Sequence, residues 1–265
     1  MLAQFGMSVP LVAAPMSGGP TTPAMVSAAN RAGALGLLAA GYKTVEAIEA
    51  EIKAVRAEGI PFGVNVFAPN PVPVDPQRYR AYAAIVQADA DPFGLTLPPE
   101  PIEDNDRFDE KIALLLDDPV PMVSFTFGIP PRDVIAALQR ANSVVVQTVT
   151  TADEAAQAHE AGVDMLAVQA AAAGGHSGTL SPRRPLTPVP IVDLVRQVVA
   201  KVPLPVMATG AECRTRAPRL PAGIRCPPTG GRSPAFPPPR RPCAAGWSGN
   251  GWRDNPAAPR LRGRR

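Results

Sequence analysis

Residues 164–180 read DMLAVQAAAAGGHSGTL. The apolar run Met165 to Val168 is too short for a buried helix and predicts a β-strand covered on both faces. It stops at Gln169, and alanines then lead into Gly174, Gly175 and His176. The chain has only two histidines, and one sits in this glycine-rich loop. A strand that ends in such a loop predicts a β/α unit whose loop faces a ligand.

The same grammar repeats on both sides. Before this strand, TADEAAQAHEAG reads as a helix and SVVVQTV as a strand. After it, PIVDLVRQVVAKV reads as a helix and LPVMATG (204–210) as a strand. Toward the N-terminus, the predicted strands are VPLVAAPM (9–16), LGLLAAG (35–41), FGVNVF (62–67) and PMVSFTFG (121–128). Helices separate them; TVEAIEAEIKAVRAEG, for example, has apolar residues at 45, 48, 52 and 55. Between 68 and 120 lies an insertion with a Pro-rich start and two helical stretches, RYRAYAAIVQADA and DRFDEKIALLLDD. Strand and helix in strict alternation, with continuously apolar strands, predict a parallel sheet covered by helices. Seven units in about 210 residues suit an α/β barrel of the (β/α)8 TIM type that lacks one unit. A doubly wound open sheet is the structural alternative.

The pattern ends at Gly210. Residues 211–265 hold 12 arginines, 11 prolines and only two acids, Glu212 and Asp254. They also hold all three cysteines, which lack zinc-type spacing. The pI of about 9.0 therefore belongs to this tail, because residues 1–210 carry 14 basic and 21 acidic side chains. A disordered basic tail for nucleic acid is one reading. The other is out-of-frame translation of a GC-rich gene, which yields Ala, Arg, Pro and Gly in place of lysine. The codons of RCPPTGG (225–231), read from their second base, can encode Asp-Ala-Leu-Gln-Leu-Gly. The expected organisation is thus 1–210, an incomplete barrel, and 211–265, a Pro/Arg-rich tail that is out of frame or disordered.

The body has no cysteine and the N-terminus has no basic leader before a long apolar run. A cytoplasmic protein without a signal peptide or membrane span is expected. No Rossmann fingerprint, P-loop, Ser-His-Asp order or metal cluster is visible. What remains is the set of residues at predicted strand ends. It comprises Ala14-Pro15-Met16 with Ser17-Gly18-Gly19, Asn65, Ser124 and Thr126, Gln147, Gln169 with Gly174-Gly175-His176, and Thr209-Gly210. Amides, hydroxyls and glycines with one imidazole suit a neutral planar heterocycle, with backbone N–H groups for a phosphate. Asn65 stands out, since an amide within an apolar strand needs partners. His159, near the end of a helix, reads as an ordinary surface residue.

Four stretches, APMSGG (14–19), GVNVFAPNP (63–71), VSFTFG (123–128) and VQAAAAGGHSG (168–178), resemble the nitronate monooxygenases, formerly called 2-nitropropane dioxygenases. The last is the most specific. That family's pattern runs Gln, two residues, Glu, Ala, Gly, Gly, His, and Gln169, Gly174, Gly175 and His176 keep the spacing. The resemblance covers roughly residues 5–210. It implies an FMN-dependent barrel that oxidises nitronates or nitroalkanes with O₂. It implies that Ala14, Pro15, Met16, Asn65, Gln169 and Gly174 hold FMN, that Gly210 begins the phosphate loop, and that His176 is the catalytic base. A histidine titrates near pH 6.5 when unperturbed, so its neutral form can take an acidic proton α to a nitro group. Two positions depart from the family: Ala172 stands where Glu is common, and the Gln-x-Gly-Thr stretch after an eighth strand is absent from the sequence. A flavin-dependent enoyl-[acyl-carrier-protein] reductase is the alternative enzyme, and a nucleic-acid-binding protein acting through the tail is the alternative without catalysis.

Overall fold

The computed structural model describes residues 2–70, 72–185 and 187–209. Within them, strands and helices alternate: β1 (Val12–Ala13), α1 (Pro23–Arg31), β2 (Leu35–Ala39), α2 (Val45–Arg56) and β3 (Gly63–Phe67). The insertion supplies α3 (Pro76–Ala90) and α4 (Phe108–Asp117). Then follow β4 (Met122–Thr126), α5 (Arg132–Arg140), β5 (Val144–Val149), α6 (Ala152–Ala161), β6 (Met165–Gln169), α7 (Ile191–Lys201) and β7 (Val206–Thr209). Gly210 and the 211–265 tail lie outside the described residues.

The helices begin where the sequence supplies an oxygen. Thr22, Thr44 and Thr151 each accept a backbone N–H at the start of α1, α2 and α6, and Asp75 accepts two at α3. The two N–H donors, from Arg78 and Gln77, hold the Asp75 carboxyl below its ordinary range.

All seven strands pair in parallel and in sequence order. Among the described residues β1 pairs only with β2 and β7 only with β6. The sheet is therefore an open, incompletely closed TIM-type barrel. β1 is much shorter than the predicted strand over 9–16. Pro10 and Pro15 bracket it and have no N–H to offer a ladder, so only Val12 and Ala13 pair.

Alternate side chains along each strand face opposite ways. Leu38, Val64, Val66, Val123, Phe125, Val145, Leu166 and Val168 face the helices and pack on Ile48, Ile52, Leu115, Ile135, Leu138, Leu194 and Val198. Leu35, Leu37, Met122, Val146, Met165 and Ala167 face the barrel axis. Phe5, from a short 3-10 turn at Leu2–Phe5, plugs this inner layer from the N-terminal mouth and is 2% exposed. The apolar plug leaves the opposite end, at the strand C-termini, for polar side chains. By contrast, α3 buries none of its residues. No helix among the described residues is long and apolar enough to cross a membrane.

Candidate active site

A cleft of about 760 Å³ reaches from the inner apolar layer, where Leu37, Met165 and Ala167 line it, to the C-terminal ends of the strands. This is within the size range of small-molecule sites, roughly 300–1,000 Å³. Ala14, Pro15 and Met16 line it from β1, Asn65 and Phe67 from β3, Ser124 and Thr126 from β4, and Thr148 from β5. Gln169, Gly174, Gly175 and His176 line it from β6 and the following loop, and Thr209 from β7. Seven of the eight residues assigned to the site from sequence are thus brought to one cleft, and the eighth, Gly210, lies outside the described residues.

Asn65 is 4% exposed and stands opposite Ser124 in the ladder. Its Nδ2 donates to Ser124 Oγ at 2.9 Å, to Thr126 Oγ1 at 3.1 Å and to the Ser124 carbonyl at 3.2 Å. Thr126 Oγ1 lies 3.3 Å from Thr148 Oγ1, which extends the polar row by one strand. The row uses the donors of Asn65, while its Oδ1 has no protein donor among the described residues. An amide oxygen left without a protein donor on a cleft wall suits a ligand N–H.

The imidazole is placed by its loop. Gln169 Oε1 accepts the Gly178 N–H at 2.6 Å, and Gln169 Nε2 donates to the His176 carbonyl at 3.3 Å. A Cβ on Gly178 would lie 2.8 Å from Thr148 Cγ2 and 3.1 Å from Gln169 Oε1, so only glycine lets the loop come this close. Gly174 (φ 75°) and Gly175 (φ 65°) take left-handed backbone with open space at their Cβ positions. They turn the chain so that the exposed His176 reaches the cleft.

The loop is also held from behind. Glu154 on α6 is 2% exposed. Its Oε1 accepts from Thr179 Oγ1 (2.7 Å) and the Leu180 N–H (2.9 Å), and its Oε2 accepts from the Thr150 N–H (2.6 Å) and Thr150 Oγ1 (2.8 Å). Sequence reasoning missed Glu154. The pattern Thr151-x-x-Glu154 signals a capping box, but the carboxylate reaches two loops instead.

Gln147 is corrected. It belonged to the predicted set because it is polar within an apolar strand, yet it faces the helices. Its Nε2 donates to the Gly128 and Thr148 carbonyls, each at 3.0 Å. Its neighbour Thr148 takes the place at the cleft. Gly18 and Gly19 form a turn with φ of 85° and 112° and do not line the cleft, whereas Ser17 does. Thr21 closes that turn by accepting the Met16 N–H at 2.8 Å. Ala172 lies in a 3-10 turn, Ala171–Ala173, and His159 is exposed on α6.

Among the described lining residues there is no carboxylate, ammonium or guanidinium, and His176 is the single imidazole. Neutral donors and acceptors around one base fit an uncharged heterocycle and a proton transfer, and they do not fit a metal centre.

A family profile for nitronate monooxygenase matches residues 1–217. A relative from Bacillus subtilis (strain 168), named "Probable nitronate monooxygenase", is 33% identical over 211 residues, covering 79% of this chain and 60% of the relative. One of the same name from Staphylococcus aureus (strain Newman) is 35% identical over 208 residues, covering 78% and 58%. The chain thus spans about three-fifths of the length of these relatives. Among solved structures, the nitroalkane oxidase from Streptomyces ansochromogenes superposes with a TM-score of 0.69 at 40% identity, over 77% of this chain and 59% of that one. With a matched profile over most of its length, the chain belongs to the nitronate monooxygenase family.

Proposed function

We propose that the cleft holds FMN and oxidises nitroalkanes or their nitronates with O₂. The observation that carries this reading is the lone imidazole in a cleft otherwise lined by neutral groups. Asn65, Gln169, Gly174 and the backbone of Ala14-Pro15-Met16 would hold the cofactor, with Gly210 assigned to its phosphate. Asn65 Oδ1 offers an acceptor to a heterocycle N–H, and the hydroxyl row of Ser124, Thr126 and Thr148 keeps that amide in place. FMN, when bound, supplies the two-electron oxidation that no side chain of the cleft can supply.

His176 takes the proton from the carbon bearing the nitro group. The C–H bonding pair becomes the C=N bond of the nitronate, and the negative charge moves to the nitro oxygens. The imidazole leaves as imidazolium and returns its proton to solvent, to which it is open. Gln169 and Glu154 fix the loop, so the base does not have to be ordered at each turnover.

The test uses the purified 265-residue chain with added FMN. O₂ uptake and nitrite release with propionate 3-nitronate are expected. Oxidation of NADH without nitrite release would move the site to the enoyl-[acyl-carrier-protein] reductase reading.

A further inference from the structure

One rim of the cleft is aromatic. The Phe67 ring meets Tyr42 edge-on, with centroids 5.2 Å apart and planes at 78°, and meets Phe127 at 4.8 Å and 66°. All three residues line the cleft. Tyr42 is 67% exposed, so its ring is not part of the core. Tyr42 and Phe127 both have left-handed backbone, with φ of 64° and 76°. Bulky residues hold that conformation only where the surroundings enforce it.

For Tyr42 the enforcing groups are visible. Lys111 on α4 is 1% exposed, and its Nζ donates to the Ala40 carbonyl at 3.0 Å. The same ammonium lies 2.8 Å from Asp106 Oδ2, and Asp106 Oδ1 accepts the Tyr42 N–H at 2.9 Å. The pair thus grips the backbone on both sides of Gly41. A Cβ on Gly41 would lie 2.3 Å from the Phe67 ring and 2.6 Å from Ser17 Oγ, so this loop is pressed onto Phe67. Burying an ammonium and a carboxylate is costly, and an apolar residue would serve packing as well. The position of Tyr42 is what the pair provides.

We infer that Tyr42, Phe67 and Phe127 form the subsite for the substituent of the substrate, and that Asp106 and Lys111 are positioning residues for it. This rests on the nitroalkane reading of the cleft. The substrate class is a nitroalkane or nitronate with an aryl group near the nitro carbon. Such a ring can join an edge-to-face series that is already formed. A small alkyl group gains nothing there.

The experiment measures equilibrium binding of 2-phenyl-1-nitroethane and nitroethane to the full-length chain, alongside nitrite release. The aryl probe is expected to bind at least about tenfold more tightly. Tyr42→Ala should cut that preference by a factor on the order of ten while nitroethane affinity stays within about twofold, and Tyr42→Phe should restore it. Lys111→Met, which keeps the bulk of the stem, should lower the preference as Tyr42→Ala does. Amide exchange at Tyr42 in the unmodified chain is the second measurement and should be slow. No aryl preference, or a preference unchanged by Tyr42→Ala, overturns the subsite. A rapidly exchanging Tyr42 amide overturns the positioning role. Selective aryl binding without nitrite release from either probe would instead count against the nitroalkane reading, leaving the aryl subsite standing.

Discussion

Gln169 accepts the Gly178 N–H through its Oε1 at 2.6 Å, so the last residue of a strand anchors a loop nine positions further on. Its Nε2 holds the carbonyl of His176 itself. The side chain that the resemblance assigns to the cofactor therefore also sets the position of His176. Gln169→Leu should keep the fold and lower kcat/KM for nitroethane by about 10- to 100-fold, as expected for a misplaced catalytic group. Steady-state kinetics, with amide exchange over residues 176–178, checks this. An unchanged kcat/KM would show that the loop holds without Gln169.

Glu154 carries the second anchor. Glu154→Ala leaves the donors of Thr150, Thr179 and Leu180 without their acceptor in a buried place. A loss on the order of 2–4 kcal/mol is expected in urea unfolding, since an unsatisfied buried donor costs about 1–3 kcal/mol. Glu154→Gln should cost less, because one oxygen survives. Equal stability of the alanine variant would contradict the anchoring role.

Asn65 is expected to matter for binding more than for folding. Asn65→Leu fills the same volume but removes both the free acceptor and the donor to Ser124 and Thr126. FMN affinity, read by quenching of flavin fluorescence, should fall by at least about tenfold. Affinity within twofold of the parent would remove Asn65 from the cofactor's contacts.

The tail is read as out of frame, and its residues 211–265 lie outside the described structure. Coding DNA across codons 205–265 should show a second frame that continues the apolar β/α pattern and restores Gln-x-Gly-Thr. A frame-restored chain should bind FMN at least about tenfold more tightly and melt higher. Closing the open edges of β1 and β7 removes unpaired backbone that invites aggregation. Equal FMN affinity and equal melting temperature of the two chains would refute this reading. Steeply salt-dependent DNA binding, lost on deletion of 211–265, would support a working basic tail instead.

The sheet was legible because parallel strands are apolar on both faces and stand out as short runs between amphipathic helices. β1 was overread because a run such as VPLVAAPM looks apolar whatever its prolines do to the ladder. Asn65 and Gln147 look alike in sequence, each an amide inside a strand. Parity separates them: Asn65 shares the inward face with Ser124 through the register, while Gln147 alternates with the inward Val146 and Thr148. One position along a strand exchanges cleft for helix layer. Glu154 and the Asp106–Lys111 pair were not legible as site residues. Their roles depend on loops that meet only in the folded chain, 25 residues apart for Glu154 and Thr179 and 71 for Lys111 and Ala40.

The central claim is that His176 removes the α proton. Ethyl nitronate has already lost that proton, so it bypasses the step that nitroethane requires. The decisive measurement compares the two substrates in FMN-loaded parent and His176→Ala chains. The expected result is a fall of about 10²- to 10⁴-fold in kcat/KM with nitroethane and a change within about threefold with ethyl nitronate. Equal losses with both substrates, or no loss with nitroethane, would contradict the assignment of His176 as the base.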